Sequence, residues 1–219
     1  MNNSSQIVGS TADHVGEFIG ITFVIIIALA VFILIVFGFY KLIMYLFFKE
    51  GEKKEVEEEG KRKLSAIMFT DMKGFSKEMG KNEEATLKKF WRYEKAMKQI
   101  VKEHDGRVVK TIGDAIMGDF NSAVQAVKAA MEIQNLLKKE DIMIRIGIHL
   151  GDVIHKGGDI FGDGVNIASR IESICEPGKI YISEDVYSQV RGKINVNFEN
   201  LGNRPLKNID SPPRVYKLK

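Results

Sequence analysis

The stretch from Leu64 to Met117 constrains the fold most, because two apolar, strand-like runs in it each deliver an aspartate to one end. The first run, SAIMFT over residues 65–70, is followed at once by Asp71. Asp114 stands with Gly113 between two apolar runs, which is typical of a two-residue hairpin turn. If the strands are neighbours, both carboxylates lie at one edge of the sheet, where they repel and raise each other's pKa unless cations neutralise them.

This carboxylate pair predicts a site for hard cations, since oxygen ligands select Mg2+ or Mn2+. The segment after Asp71, residues 72–75, adds backbone N–H groups beside the metal, and Gly74 allows a phosphate to approach closely. The alternative is that Asp71 caps a following helix and that Asp114 only turns a hairpin.

The composition sets limits on the class of protein. The 219 residues suffice for one domain and an attachment. A net charge of +3 is too small to argue for nucleic acid as a partner. The one cysteine, Cys175, excludes an internal disulfide framework and a cysteine zinc cluster, and the four histidines show no metal-binding spacing.

The N-terminal part carries a long apolar run, residues 18–40, after a polar tail over residues 1–16. A bilayer core takes about 20 such residues as a helix. A cleaved signal peptide fits less well, because the tail has no positive charge, the run is too long and no small-residue cleavage site follows. The sequence therefore predicts a transmembrane helix over residues 17–48, whose apolar end beyond Lys41 either extends a tilted helix or lies along the interface.

The charges around this run predict its orientation. Lysines follow the run from Lys41 onward and none precedes it, so the tail over residues 1–16 is expected on the extracytoplasmic side. The expected location is the inner cell membrane, crossed once, with the bulk of the chain in the cytoplasm. A charged linker is predicted over residues 49–63, followed by a globular domain over residues 64–219.

Apolar periodicity in the globular part predicts alternating strands and helices. The predicted strands cover residues 65–70, 107–112, 115–120, 142–149, 180–182, 195–198 and 215–216. The predicted helices cover residues 83–104 and 163–174, and a third helix, between these two, ends at Leu137 and has Asn121 and Ser122 as N-cap candidates. The order βαββαβ, with later additions, indicates an α+β fold with a ferredoxin-like arrangement.

A second informative stretch is the glycine-rich loop and helix start over residues 157–170. Asn166 and Arg170 are four residues apart, so they share one helix face. Beside a glycine-rich loop, this pair suits a polyanionic ligand that bears hydroxyl groups. The alternative is that Arg170 pairs with a surface acid such as Glu172.

Three of these segments carry a resemblance to a known family. The segments FTDMKGFS (69–76), VKTIGDA (109–115) and GDGVNIASR (162–170) resemble, in the same order, motifs of class III nucleotide cyclases. The resemblance extends from about Leu64 to the C-terminus and makes residues 64–219 the expected catalytic domain.

The resemblance implies roles for individual residues. Two Mg2+ or Mn2+ ions per site would be held at Asp71, Met72 and Asp114. Asn166 would orient the ribose, and Arg170 would stabilise charge at the α-phosphate.

Other matching positions concern the substrate. The family's base-selecting positions fall on Lys110 and Asp159, which suit N1 and the N6 amine of adenine and therefore imply ATP. Arg145 and Lys207 match residues that bind the phosphates, although the chain has Leu-Lys-Asn-Ile where the family usually has Leu-Lys-Gly-Lys. Gly74 and Phe75 complete the implied substrate-binding set.

The implied reaction is the conversion of ATP to 3′,5′-cyclic AMP and pyrophosphate in a head-to-tail homodimer. Asp71, Asp114 and Arg145 would come from one subunit, and Lys110, Asp159, Asn166, Arg170 and Lys207 from the other. A short connection after Val153 replaces the longer arm that grips the partner in many relatives, which leaves the dimer affinity open. The alternatives are a guanylyl cyclase, a catalytically inactive binding module, and a diguanylate cyclase suggested by Gly-Gly-Asp-Ile-Phe, in which Ile160 replaces the acidic residue.

Overall fold

The computed structural model of the chain describes residues 29, 31–46, 60–140 and 142–219, and it divides into two units, Met1–Glu58 and Glu59–Lys219. In the first unit, residues 31–46 are helical and exposed. The predicted span over residues 17–48 and the predicted linker over residues 49–63 lie partly outside the described residues. Among the residues that are described, no helix has both the length and the apolarity needed to cross a membrane.

The second unit is an α+β domain built on one sheet. Its elements, in chain order, are β1 (Lys61–Met72), α1 (Phe75–Met79), α2 (Glu83–Glu103), β2 (Gly106–Ile112), β3 (Ala115–Phe120), α3 (Ala123–Lys138), β4 (Ile144–Lys156), β5 (Asp159–Phe161), α4 (Asp163–Ser173), β6 (Ile180–Ser183), α5 (Glu184–Val190), β7 (Phe198–Asn203) and β8 (Arg214–Leu218).

The strand order in the sheet is β2-β3-β1-β4-β6-β8-β7, with β5 paired to β4. β1 lies in the middle of the first four strands and pairs antiparallel with both β3 and β4. With α2 and α3 as the connecting helices, this part of the chain has the βαββαβ order, so the predicted α+β class and ferredoxin-like arrangement are confirmed.

Both faces of β1 are buried, which explains why its run is continuously apolar rather than alternating. Met68 packs in the larger core, together with Met97 of α2 and Ile133 of α3. Ile67 and Phe69 point to the other face, into a smaller core that includes residues of β3, β4 and α4. The strand that carries Asp71 near its end is therefore packed on both faces.

Several element boundaries differ from the prediction. β1 begins at Lys61, which pairs with His155, so the last three residues of the predicted linker belong to the sheet. β4 continues to Lys156 because it forms a hairpin with β5, whose two-residue turn has positive φ angles of 57° and 80° at Gly157 and Gly158.

Four elements were not predicted at their observed positions, among them the three-residue strand β5. The strand predicted over residues 195–198 lies instead at Phe198–Asn203. The short helices α1 and α5 were missed, because five and seven residues are too few to show a clear helical period.

Candidate active site

The two aspartates singled out in the sequence lie together at one edge of the sheet. Asp71 is the second-to-last residue of strand β1, and Asp114 is in the β2–β3 turn, where Gly113 takes a left-handed φ of 61°. The Met72 backbone N–H donates a hydrogen bond of 3.0 Å to Asp114 Oδ2, which ties the turn to the end of β1. Burial and the nearby Asp71 carboxylate raise the pKa of Asp114.

Arg145 of β4 faces this pair because its register partner in the sheet is Asp71. Its Nε donates a 3.1 Å hydrogen bond to Asp71 Oδ2, and its Nη2 donates to the same oxygen. Its Nη1 donates to the Ser173 carbonyl oxygen at 3.4 Å, at the end of α4. Thus the structure brings Arg145 together with the predicted metal ligands, as the resemblance implied.

Glu172 is a third carboxylate at this place, and the sequence reasoning did not assign it. Its Oε1 lies 3.1 Å from Arg145 Nε, so its ion-pair partner is Arg145 and not the Arg170 considered from the sequence. The residue is only 9% exposed, and its burial raises its pKa to about 7. The positive charge of Arg145 lowers this pKa, whereas the negative charges of Asp71 and Asp114 raise it further. The signal available in the sequence was a charge on the buried face of α4, four residues after Ala168.

The position of Glu172 depends on Gly147 of β4. A Cβ at Gly147 would lie 2.6 Å from Glu172 Cα and closer still to its backbone nitrogen. β4 and α4 therefore pack backbone against backbone, which only glycine permits here.

A cavity of about 540 Å³ opens at the two aspartates and is lined by residues 71–77 with Asp114, Arg145 and Pro177. This volume is within the range of small-molecule sites. Gly74, at the N-terminus of α1, has a φ of 82°, a left-handed conformation that favours glycine. Phe75 packs edge-to-face on Phe90 with ring centroids 5.3 Å apart, so its ring is anchored in the core.

The donor set at this cavity fits a hard divalent cation. Across the described residues there is no group of three or more His, Cys, Asp or Glu side chains arranged to hold a metal ion. The two converging carboxylates nevertheless supply oxygen ligands and negative charge, and one of them, Asp71, already accepts a hydrogen bond from the guanidinium of Arg145. Substrate phosphates, backbone carbonyls or water would complete the coordination of the cation. The predicted ligands are Asp71, Met72 and Asp114.

A second group of predicted residues meets between β2 and β5. Lys110 Nζ donates to Asp159 Oδ2 at 2.6 Å, and this hydrogen bond lowers the pKa of Asp159. Arg107, which the sequence reasoning missed, donates to the Gly158 carbonyl oxygen at 2.6 Å and to Asp119 at 3.3 Å. It thereby anchors the turn that carries Asp159.

Three further predicted residues belong neither to the group at the aspartates nor to the group at Lys110 and Asp159. Asn166 and Lys207 are exposed, and Arg170 is partly exposed. Their side chains make no hydrogen bond or ion pair with the residues that the structure describes, and none of the three lines the cavity at Asp71. In a single chain, the predicted site residues thus form separate groups.

Comparisons with known proteins identify the family. The family model described as the adenylate and guanylate cyclase catalytic domain matches residues 57–219. The chain belongs to this family. Membership of the family accounts for the fold of residues 57–219 and for the three motifs within them.

A relative from Rhizobium meliloti (strain 1021), named "Putative adenylate cyclase 3", is 34% identical over 165 residues, which are 71% of this chain. The chain spans 28% of the length of that relative.

Among solved structures, the adenylate/guanylate cyclase/hydrolase from Silicibacter pomeroyi is 37% identical, with a TM-score of 0.68 over 73% of this chain and 98% of that chain. The guanylate cyclase domain of RhGC from Catenaria anguillulae, solved with GTP, is 29% identical, with a TM-score of 0.62 over 73% of this chain and 98% of that chain.

Proposed function

We propose that the chain is an adenylyl cyclase, which converts ATP to 3′,5′-cyclic AMP and pyrophosphate. The observation that carries the proposal is the Lys110–Asp159 pair. The donor Nζ of Lys110 in β2 lies 2.6 Å from the acceptor Oδ2 of Asp159, the first residue after the β4–β5 turn. An ammonium donor suits N1 of adenine and a carboxylate acceptor suits its N6 amine, whereas guanine presents the opposite order. Relatives named as adenylate cyclases support the same choice.

The chain's own residues would divide the chemistry between them. Two Mg2+ or Mn2+ ions, when bound at Asp71, Met72 and Asp114, would lower the pKa of the ribose 3′-hydroxyl and offset phosphate charge. Positioning and electrostatic stabilisation should dominate, as in other phosphoryl transfers.

The remaining predicted residues would bind and orient the nucleotide. Arg145 and Lys207 would bind the phosphates, and the backbone at Gly74 and Phe75 would approach them. Asn166 would orient the ribose, and Arg170 would stabilise the charge that develops at the α-phosphate.

A head-to-tail homodimer would complete each site. Asn166, Arg170 and Lys207 do not line the cavity at Asp71, and their side chains form no hydrogen bond or ion pair with the described residues. Both observations support a site that a second subunit completes. The β4–β5 hairpin has a turn of only two residues, which is shorter than the arm that grips the partner subunit in many relatives. We therefore expect other surfaces of the domain to form the dimer interface.

The first experiment identifies the product. Purified full-length protein is incubated with ATP or GTP and with Mg2+ or Mn2+, and the products are separated by chromatography. Cyclic AMP from ATP is expected. Preferential formation of cyclic GMP and pyrophosphate from GTP would support the guanylyl cyclase alternative, for which the 29% identity to a guanylate cyclase domain solved with GTP is the observation. No turnover of either nucleotide would support the inactive binding module.

The second experiment tests the shared site by mixing two inactive variants, Asp71→Ala and Arg170→Ala. In a mixed dimer, one site carries both substitutions and the other carries neither. Activity is expected to return toward one working site per mixed dimer. A mixture that stays inactive, although association of the two variants is demonstrated, would contradict the composite site.

We also propose that residues 17–48 anchor the enzyme in the inner membrane, with the tail over residues 1–16 outside and the catalytic domain in the cytoplasm. The support is the apolar run over residues 18–40 and the lysines that follow it. The full chain is expected to stay with membranes after carbonate extraction. Recovery of the full chain in the extracted fraction would contradict the anchor.

A further inference from the structure

Arg145 is shared unequally between two carboxylates on different elements. Its Nε lies 3.1 Å from Asp71 Oδ2 and also 3.1 Å from Glu172 Oε1. This nitrogen carries a single hydrogen, which it donates to Asp71. Glu172 Oε1 is therefore within ion-pair distance, yet it is buried and accepts no hydrogen bond from the residues that the structure describes.

A buried acceptor without a donor is unfavourable, and such atoms in folded proteins usually have a specific explanation. The backbone of Glu172 is held close to this place, because it packs directly on Gly147 of β4. Arg145, in contrast, is held at its other end by the Ser173 carbonyl oxygen, next to Glu172. A small rotation of the guanidinium would move the Nε–H from one carboxylate to the other.

A divalent cation on Asp71 would supply the reason for such a rotation. It would occupy the oxygen that now accepts two hydrogen bonds from Arg145, and it would repel the guanidinium. The nearest acceptor left to Arg145 Nε would then be Glu172 Oε1.

We propose that Glu172 is a positioning residue that takes over Arg145 when a divalent cation binds Asp71. Without Glu172, Arg145 remains on Asp71 and competes with the cation. With Glu172, Arg145 gives up the metal ligand but stays at the wall of the cavity, where phosphates would bind. This inference rests on the proposed metal site at Asp71.

The test measures Mn2+ binding to the full-length chain in detergent, without nucleotide, from the electron paramagnetic resonance signal of free Mn2+. Glu172→Gln is expected to weaken Mn2+ binding by about tenfold, because a charge-assisted hydrogen bond to Arg145 is lost in the bound state. Arg145→Gln is expected to strengthen binding severalfold, because the competing cation is gone. Glu176→Gln, which changes an exposed acid four residues further on, should leave Mn2+ binding unchanged.

The double variant Glu172→Gln with Arg145→Gln decides the mechanism. If Glu172 acts through Arg145, Glu172→Gln no longer weakens Mn2+ binding once Arg145 has also been replaced. If Glu172 acts only as a nearby negative charge, the same loss persists in the double variant, and the proposal is overturned. Weaker binding in Arg145→Gln alone would overturn it as well.

Two controls keep the outcomes separate. Asp71→Ala should abolish Mn2+ binding; unchanged binding in that variant would refute the proposed metal site itself, whatever Glu172 does. If Glu172→Gln does not fold, Glu172→Asp replaces it, because the shorter side chain withdraws the carboxylate from Arg145 and should weaken Mn2+ binding in the same direction. Normal Mn2+ binding by folded Glu172→Asp would then overturn the proposal.

Discussion

Glu172 offers a quantitative prediction about stability in the absence of metal. Burial is the largest cause that raises its pKa from 4.5 to about 7. At 1.36 kcal/mol for each pKa unit, this rise corresponds to about 3 kcal/mol. Since the residue is 9% exposed, little of this energy is screened by solvent.

The sign follows from linkage. Between pH 4.5 and 7 the folded chain keeps the Glu172 proton while the unfolded chain has lost it, so the folded state binds more protons there. The contribution of Glu172 to stability is fully present below pH 4.5 and is lost as the pH rises through 7. In Glu172→Gln, which cannot ionise, this loss is absent.

The free energy of unfolding is measured by urea titration with circular dichroism, in chelator, for the wild type and Glu172→Gln. The difference, variant minus wild type, is expected to rise by about 3 kcal/mol between pH 4.5 and 8. Taking the difference cancels the groups that titrate equally in both proteins. Glu84→Gln, at an exposed position of α2, should show a nearly constant difference. A constant difference for Glu172→Gln would refute the argument from burial.

Further predictions concern the site and its support. Asp71→Asn should abolish metal-dependent cyclisation of ATP while the circular dichroism spectrum is retained; near-normal turnover would contradict the metal assignment. Gly147→Ala should lower the free energy of unfolding by about 3 kcal/mol, because its Cβ would overlap the backbone of α4, whereas Gly80→Ala, with no atom nearer than 3.6 Å, should be nearly neutral in urea titrations. Lys110→Glu with Asp159→Cys should reduce kcat/KM for ATP at least tenfold and raise the relative use of GTP; an unchanged nucleotide preference would contradict base reading by this pair.

The sequence by itself predicted most of the first half of the domain, because the signals there are local. β3 was predicted with its observed boundaries, and α2 and β2 to within one residue. Of the two N-cap candidates in the sequence, Asn121 and Ser122, the structure uses Ser122, whose side chain accepts a hydrogen bond from the Gln125 backbone N–H at 3.4 Å. Capping and periodicity depend on residues within one or two turns, so a single chain segment reveals them.

The predicted pairing of Asp71 with Asp114 and of Lys110 with Asp159 also followed from the sequence, the first from strand ends and turns, the second from resemblance to the family. Asp71 is near a strand end, Asp114 is in a hairpin turn and Asp159 directly follows one, and hairpin turns fix their own register. Glycine and aspartate at a turn therefore allow the turn to be predicted from the sequence before the pairing of the strands in the sheet is known.

Only the tertiary structure revealed the link between Arg145 and Glu172. The two residues are 27 positions apart, and their contact depends on a crossing of β4 and α4 that Gly147 permits. From the sequence, Glu172 was considered only as a surface acid that could pair with Arg170. Long-range packing decided which arginine it meets, because the rotation of α4 buries the glutamate and leaves Arg170 partly exposed.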